Sequence, residues 1–267
     1  MSRIRIPFRP KPFVAVIRLS GVIGSGGRIG GSGLNDAAVA VQIERAFGRG
    51  KPKAVALVIN SPGGSPTQSA LIAARIRRLA DEKSIPVFAF CEDVAASGGY
   101  WLATAADEIF VDDNTIMGSI GVISSMFGFQ ELIKRHGIER RVHTAGESKS
   151  FLDPFLDENP ADIARLKHIQ TQIHDNFVRQ VTTRRGQKIS RADIFDGTFW
   201  IGQDAVDLGL ADGVGHLVPT MKKWFGDKIA FSIATPKKSL FQRLGMPGGA
   251  ELMASVEDRL EWARYGR

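Results

Sequence analysis

The chain has 267 residues, 43% hydrophobic and 24% charged, with a net charge of +7 from 35 basic and 28 acidic residues. That length buries one large core or two small ones, and the composition is ordinary for a soluble globular protein. The single cysteine, Cys91, excludes an intramolecular disulfide framework and a cysteine-rich zinc site, and its place after an apolar run marks a structural thiol.

Residues 1–12 form a basic arm carrying Arg3, Arg5, Arg9 and Lys11 and no acid. Such an arm is either solvated or in peripheral contact with an anionic membrane surface. Nucleic acid is not the expected partner, because the remaining basic residues are scattered and no aromatic-interleaved strip occurs. Phe13–Leu19 is too short and contains Arg18, so no signal peptide is read, and no uncharged run reaches the roughly 18 apolar residues of a membrane span. A cytoplasmic location is the expectation.

Phe13–Leu19 reads as a first strand, and the glycine-rich stretch Gly24–Gly33 as a mobile loop. Asp36–Phe47 reads as a helix with Ala37, Val41, Ile43 and Ala46 on its buried side. A strand over Ala54–Ile59 leads into Asn60-Ser61-Pro62-Gly63-Gly64, and a helix over Pro66–Asp81 follows with Ala70, Ile72, Ala73, Ile76 and Leu79 at helical spacing. Val87–Phe90 is the next strand, before Ala95-Ala96-Ser97-Gly98-Gly99, and a helix starts near Ser97. Glu108–Val111 is another short strand, and Asn159–Arg184 a long helix with Ile163, Leu166, Ile169, Ile173, Phe177 and Val181 as its stripe. Thr198–Gly215 is a turn-rich closing element. The tail, residues 219–267, holds an amphipathic helix over Glu251–Arg264. This alternation predicts an α/β fold with a mostly parallel sheet, flanking helices and a helical tail, its functional turns at strand C-termini.

Both small-residue turns follow buried-strand patterns, where glycines let backbone N–H groups approach a ligand and a serine stands exposed. Serine needs a base. Of the five histidines, His136, His143, His168, His174 and His216, none is read in a turn with an attendant acid. Lysine serves when burial favours its neutral form, and Lys149 precedes Phe151, Leu152, Pro154 and Phe155, which could supply an apolar setting.

These motifs resemble the signal peptide peptidase A, or protease IV, family of serine peptidases, most of all its short SohB-type members. The resemblance covers roughly Phe13–Val218, taken as a peptidase domain. It rests on Ile59–Gly64, Ala95–Tyr100, Met117-Gly118-Ser119-Ile120-Gly121-Val122, Thr144-Ala145-Gly146-Glu147-Ser148-Lys149, Trp200-Ile201-Gly202 with Ala205, and Gly209-Leu210. It implies a ClpP/crotonase-like fold, Ser97 as nucleophile, Lys149 as general base and Ser119 holding the lysine amine. The N–H groups of Gly64 and Gly98 would form the oxyanion hole, with Gly63 as the fallback donor.

No metal or cofactor is implied. Short or unfolded peptides, including cleaved signal peptides, are the implied substrates, and a homo-oligomeric ring or dome the implied assembly. Turnover is expected to rise towards alkaline pH. Longer relatives begin with a membrane anchor and duplicate the domain, and this sequence is read as having neither feature. A Clp-type Ser-His-Asp reading fails because Gly98–Arg135 contains no histidine. Two alternatives stay open: a crotonase-type acyl-CoA enzyme working through Glu92 and Asp93, and a non-catalytic scaffold on a peptidase fold.

Overall fold

A computed structural model describes residues 11–24, 33–146, 148–234 and 265, and these form two compact units, residues 1–120 with 180–267, and residues 121–179. The basic arm up to residue 10, most of the glycine-rich stretch and the tail helix expected over Glu251–Arg264 lie outside the described residues.

The first unit is built on β1 (Phe13–Ser20), α1 (Asp36–Gly48), β2 (Ala54–Ser61), α2 (Pro66–Lys83), β3 (Val87–Ala96), α3 (Gly98–Ala103), β4 (Glu108–Val111) and β5 (Ile116–Gly118). The second unit contains α4 (Gln130–Arg135), and α5 (Pro160–Arg185) begins in it and ends in the first. The chain then forms β6 (Phe199–Ile201), α6 (Gly202–Asp207), β7 (Gly213–Val214), α7 (Leu217–Phe225) and β8 (Ala230–Ile233). The sheet runs β6-β5-β3-β2-β1-β8, and β4 pairs with both β3 and β7. All pairings are parallel except β5 with β6.

Strands β1 and β2 are buried on both faces, as helix-covered parallel strands must be. Alternation along them sends Val14, Val16, Ala54, Ala56 and Val58 to one face, where Met221 and Ile229 complete a core with Phe88 and Phe90. Helix α2 starts at Ser65, whose side chain caps Gln68, with Pro66 in the first turn where its missing N–H costs nothing. Asn35 caps α1 in the same way.

The mostly parallel sheet expected is present, with one antiparallel pairing at its β6 edge. Three expectations change. Helix α1 buries Val39, Gln42, Ile43, Ala46 and Phe47, while Ala37 and Val41 face solvent. Of the α5 stripe only Phe177 and Val181 are buried, and Ile169 is exposed.

The third change positions the site. Strand β3 does not stop at Phe90 but runs ten residues to Ala96. Its first half pairs with β4, from Phe88 to Cys91, and its second half with β5, from Val94 to Ala96. On its other side the register against β2 jumps from Ile59–Cys91 to Ser61–Ala95. Extra residues on one strand bend it, so the bulge at Glu92-Asp93 turns β3 towards β5.

The second unit has turns over 148–152 and an aromatic row, Phe127, Phe129 and Phe155, with ring centroids 6.2 and 5.6 Å apart. Its apolar side chains Ile123, Met126, Phe127, Leu132 and Ile138 are exposed. Among the described residues, no helix is long and apolar enough to cross a membrane.

Candidate active site

Ser97 occupies the one-residue joint between β3 and α3 with φ 52° and ψ −122°, a conformation that L-residues rarely adopt. Such strain, of order 1–3 kcal/mol, persists only where the surroundings over-determine it. Here the Ser97 N–H donates to the Gly118 carbonyl at 2.8 Å, and its carbonyl accepts the Trp101 N–H at 3.0 Å. Close packing behind the joint demands glycine: a Cβ on Gly98 would lie 2.4 Å from Ser69 Oγ, and one on Gly99 2.4 Å from the Ser61 carbonyl oxygen. The hydroxyl of Ser97 is thereby held half-buried at the end of a rigid strand.

The other glycine turn leans on this joint. A Cβ on Gly63 would meet Gly98 N and Ser97 Cβ, each at 2.8 Å, and Gly63 holds φ 109°. Ser61 Oγ donates to the Gly21 carbonyl at 2.7 Å and accepts the Gly63 N–H at 3.2 Å. The Gly63 amide is therefore engaged inside its own turn. Ile23 pairs with Gly64 in a parallel bridge, donating to the Gly63 carbonyl at 2.7 Å and accepting from Ser65 N at 2.7 Å. In that pattern the amide of Gly64 itself points away from Ile23. The Gly98 N–H is in the first turn of α3, where no intrahelical acceptor exists.

Ser119 stands on the third side. It too has a positive φ, 51°, and its N–H donates to the Thr198 carbonyl at 2.7 Å, extending the β5–β6 pairing by one residue. Gly118 before it has φ 110°, and Trp200 fills the space a side chain would need. The first unit thus assembles Ser97, Gly63, Gly64, Gly98 and Ser119 around one strand end.

One neighbour of this cluster carries no motif and is missed by sequence reasoning. Tyr265 packs with Val94, Ala96 and Ile116, sets its ring edge-on to Phe199 at 5.8 Å, and directs its hydroxyl to the Pro62 carbonyl at 3.3 Å and Ser119 Oγ at 3.4 Å. Flanked by Arg264 and Gly266, it gives no signal in the sequence.

Lys149 belongs to the second unit, in the turn whose Gly146 carbonyl accepts its N–H at 3.2 Å. It is exposed, so the apolar enclosure expected from the residues after it is absent. Those rings have other partners: Arg165 lies over Phe151 at 6.0 Å, and Phe155 packs on Phe129 and under Arg140 at 5.7 Å. Glu147 lies outside the described residues.

The histidine expectation needs one correction. His216 does have an acid, Asp112, at 2.8 Å. The His216 hydrogen bond, aided by Asn114, holds the Asp112 carboxyl down to about 2. This pair lines a cleft of about 700 Å³ between the middle of β3 and the start of α7, together with Glu92 and Asp93. Both carboxylates are engaged there, Glu92 by Arg18 at 2.6 Å and Asp93 by Asn60 at 2.8 Å. Cys91 is buried, as expected, and burial pushes its thiol pKa up. Among the described residues, no group of three or more His, Cys, Asp or Glu is placed to hold a metal ion.

Comparison with known proteins adds to this geometry. The model of peptidase family S49 matches residues 80–224. A Na(+)/H(+) antiporter NhaA of Brucella melitensis is 45% identical over 270 residues, covering 95% of this chain but 37% of its own length. Protease 4 of Haemophilus influenzae is 34% identical over 177 residues, covering 64% of this chain and 28% of that protein. This chain therefore spans little more than a third of the first and under a third of the second. Among solved structures, a mutant of the 1510-N membrane-bound stomatin-specific protease superposes with a TM-score of 0.51 at 15% identity, covering 85% of this chain and 99% of that one. At that identity the likeness shows the fold alone, and the fold is ClpP-like.

Proposed function

The chain belongs to peptidase family S49, and from that premise we propose that it hydrolyses peptide bonds through an acyl-enzyme on Ser97 with Lys149 as general base. The observation that carries the reading is the strained joint at Ser97, braced by the Gly118 carbonyl and packed against the Gly63 turn. A structural turn has no use for such strain, whereas a nucleophile that must stand proud of a packed strand end does.

In the proposed reaction, neutral Lys149 takes the Ser97 proton as Oγ bonds to the scissile carbonyl carbon. The oxyanion forms against the Gly64 and Gly98 N–H groups, since the Gly63 amide already donates to Ser61. Collapse breaks the C–N bond, and the lysine ammonium returns its proton to the leaving amine. Water, deprotonated by the same lysine, then cleaves the ester and restores Ser97. Ser119 accepts a hydrogen bond from the lysine amine and aims its lone pair at Ser97. Because Lys149 is exposed in the single chain, the dry setting it needs comes from bound peptide or a second copy.

That requirement agrees with the row of exposed apolar side chains on the second unit, an area suited to self-association. We therefore retain the homo-oligomer, a peptidase domain over 13–218 with a separate tail, and unfolded or short peptides, signal-peptide remnants among them, as parts of the same proposal. The cytoplasmic site of action and a peripheral membrane contact through the basic arm also belong to it. The pairing of Glu92 with Arg18 and of Asp93 with Asn60 counts against carboxylate-based acyl-CoA chemistry.

The test is cleavage of an apolar fluorogenic peptide library by wild type, Ser97→Ala and Lys149→Ala. Turnover by the wild type that both substitutions abolish is the expected result. Activity retained in Lys149→Ala would overturn the dyad, and no activity in folded, assembled wild type would favour a scaffold.

A further inference from the structure

Glycine has no side chain to fix its own backbone, so a glycine amide is held only by what it leans on. Gly64 and Gly98 belong to different turns yet lean on the same residue, Ile23, which follows β1 and is 1% exposed. The main chain of Ile23 brackets Gly64. Its N–H donates to the Gly63 carbonyl and its carbonyl accepts the Ser65 N–H, each at 2.7 Å. The approach is so close that a Cβ on Gly64 would lie 2.0 Å from the Ile23 carbonyl oxygen. The side chain reaches the other turn, where Cδ1 lies 3.2 Å from the place a Cβ on Gly98 would take. Leu34 holds the opposite edge of this segment, donating to the Val22 carbonyl at 3.2 Å and accepting from Gly24 N at 3.1 Å.

We propose that Ile23 is a positioning residue that sets the spacing of the Gly64 and Gly98 amides. The inference rests on the peptidase reading, in which those amides receive the oxyanion. Two donors stabilise a developing charge only when both point at one place, and a misplacement of about 1 Å costs of order 100-fold in rate. The contact between Gly63 and Gly98 N limits how near the two turns come. Ile23, hydrogen-bonded to one turn and packed on the other, fixes their offset. Its β-branched side chain is stiff at χ1, which places Cδ1 well, and in a close-packed interior the loss of one methyl group is felt. Ile229 differs in this respect, since it packs in the core with Val14, Val16 and Met221.

The experiment compares wild type with Ile23→Val, which loses Cδ1 alone, Ile23→Ala, which loses the contact with Gly98, and Ile229→Ala as the control for a truncated core side chain. Crystal structures give the distance between Gly64 N and Gly98 N, a readout that needs no catalysis. Cleavage of one fluorogenic peptide gives kcat and KM.

In Ile23→Ala the distance should change by more than about 0.5 Å, and kcat should fall at least about 10-fold with KM unchanged. Ile23→Val should show smaller changes in the same direction, and these decide the matter if Ile23→Ala does not fold. Ile229→Ala should keep both the spacing and kcat. An unchanged spacing in the Ile23 variants would overturn the proposal. So would a changed spacing with wild-type kcat, or an equal loss of kcat in Ile229→Ala. If the spacing changes as expected while wild type cleaves nothing, the positioning stands and the Ser-Lys chemistry fails.

Discussion

The amide of Ser97 donates to the carbonyl of Gly118 at 2.8 Å, joining the two strand ends whose following residues both take a positive φ. Ser97 at 52° and Ser119 at 51° are thus two strained serines held one hydrogen bond apart along neighbouring strands. Strain paired in this way requires a rigid frame. The bulged β3 supplies it by pairing with β4 first and β5 afterwards.

Replacing Ser97 with Gly should remove the backbone strain and the nucleophile together. Ser97→Ala removes only the nucleophile. Allowing for the extra chain entropy of glycine, Ser97→Gly is expected to be about 1 kcal/mol more stable than Ser97→Ala in urea unfolding. Equal stabilities would show that the joint is not strained. Both variants should lack turnover.

Gly63→Ala places a methyl group 2.8 Å from Gly98 N and Ser97 Cβ at a φ of 109°. The two turns must part, which displaces Ser97, the proposed nucleophile, relative to both proposed oxyanion donors. Turnover should fall about 100-fold or more while far-UV circular dichroism is unchanged. Activity near wild type would mean that the contact between the turns is not catalytic.

For Ser119, backbone and hydroxyl are separated by comparing Gly with Ala. Both variants lose the hydroxyl, and only Gly suits a φ of 51°. If the hydroxyl positions the base, kcat falls in both by roughly 100-fold with little change in KM. Recovery of kcat in Ser119→Gly alone would assign the residue a purely conformational role.

Asp212 gives the protein an acid limit unrelated to catalysis. Its carboxylate receives Arg185 at 2.7 and 3.1 Å, Lys188 at 2.6 Å and the Ile109 N–H at 2.8 Å, with the Arg185 side chain only 2% exposed. Burial alone would raise its pKa, but the bonds from Arg185 and Lys188 outweigh it and the value lies below the usual range. A lowered folded-state pKa means stabilisation that is complete above the unfolded value of about 3.9 and lost as pH falls through the folded one. Asp212→Asn should cost about 3–5 kcal/mol at neutral pH, because Arg185 is left buried without a counter-charge. Its stability should then vary less between pH 5 and pH 2 than that of the wild type. A steep acid transition retained in Asp212→Asn would place the acid limit elsewhere.

The elements were legible where periodicity was strong: β1, β2, α2 and the long α5 sit close to where their apolar patterns place them. The extension of β3 was not, because Glu92 and Asp93 read as a strand end until Arg18 and Asn60, distant in sequence, are seen to pair with them. In α1 the buried face includes Gln42 and excludes Val41, which hydrophobicity alone does not foresee. The serine and glycine turns announced the cluster around Ser97, since only particular residues tolerate those backbone angles and contacts. Tyr265 left no trace in the sequence because its pocket is made by four segments that meet only in three dimensions. The exposure of Lys149 was hidden for the opposite reason: the aromatic residues after it are used by Phe129, Arg140 and Arg165.

The most direct measurement of the central claim is reaction of the full chain with a small-side-chain phosphonate diester, followed by peptide mapping in a mass spectrometer. A single adduct on Ser97 is expected, its formation paralleling loss of peptide cleavage and greatly slowed in Lys149→Ala. An adduct on another residue, or full inhibition with Ser97 unmodified, would contradict it.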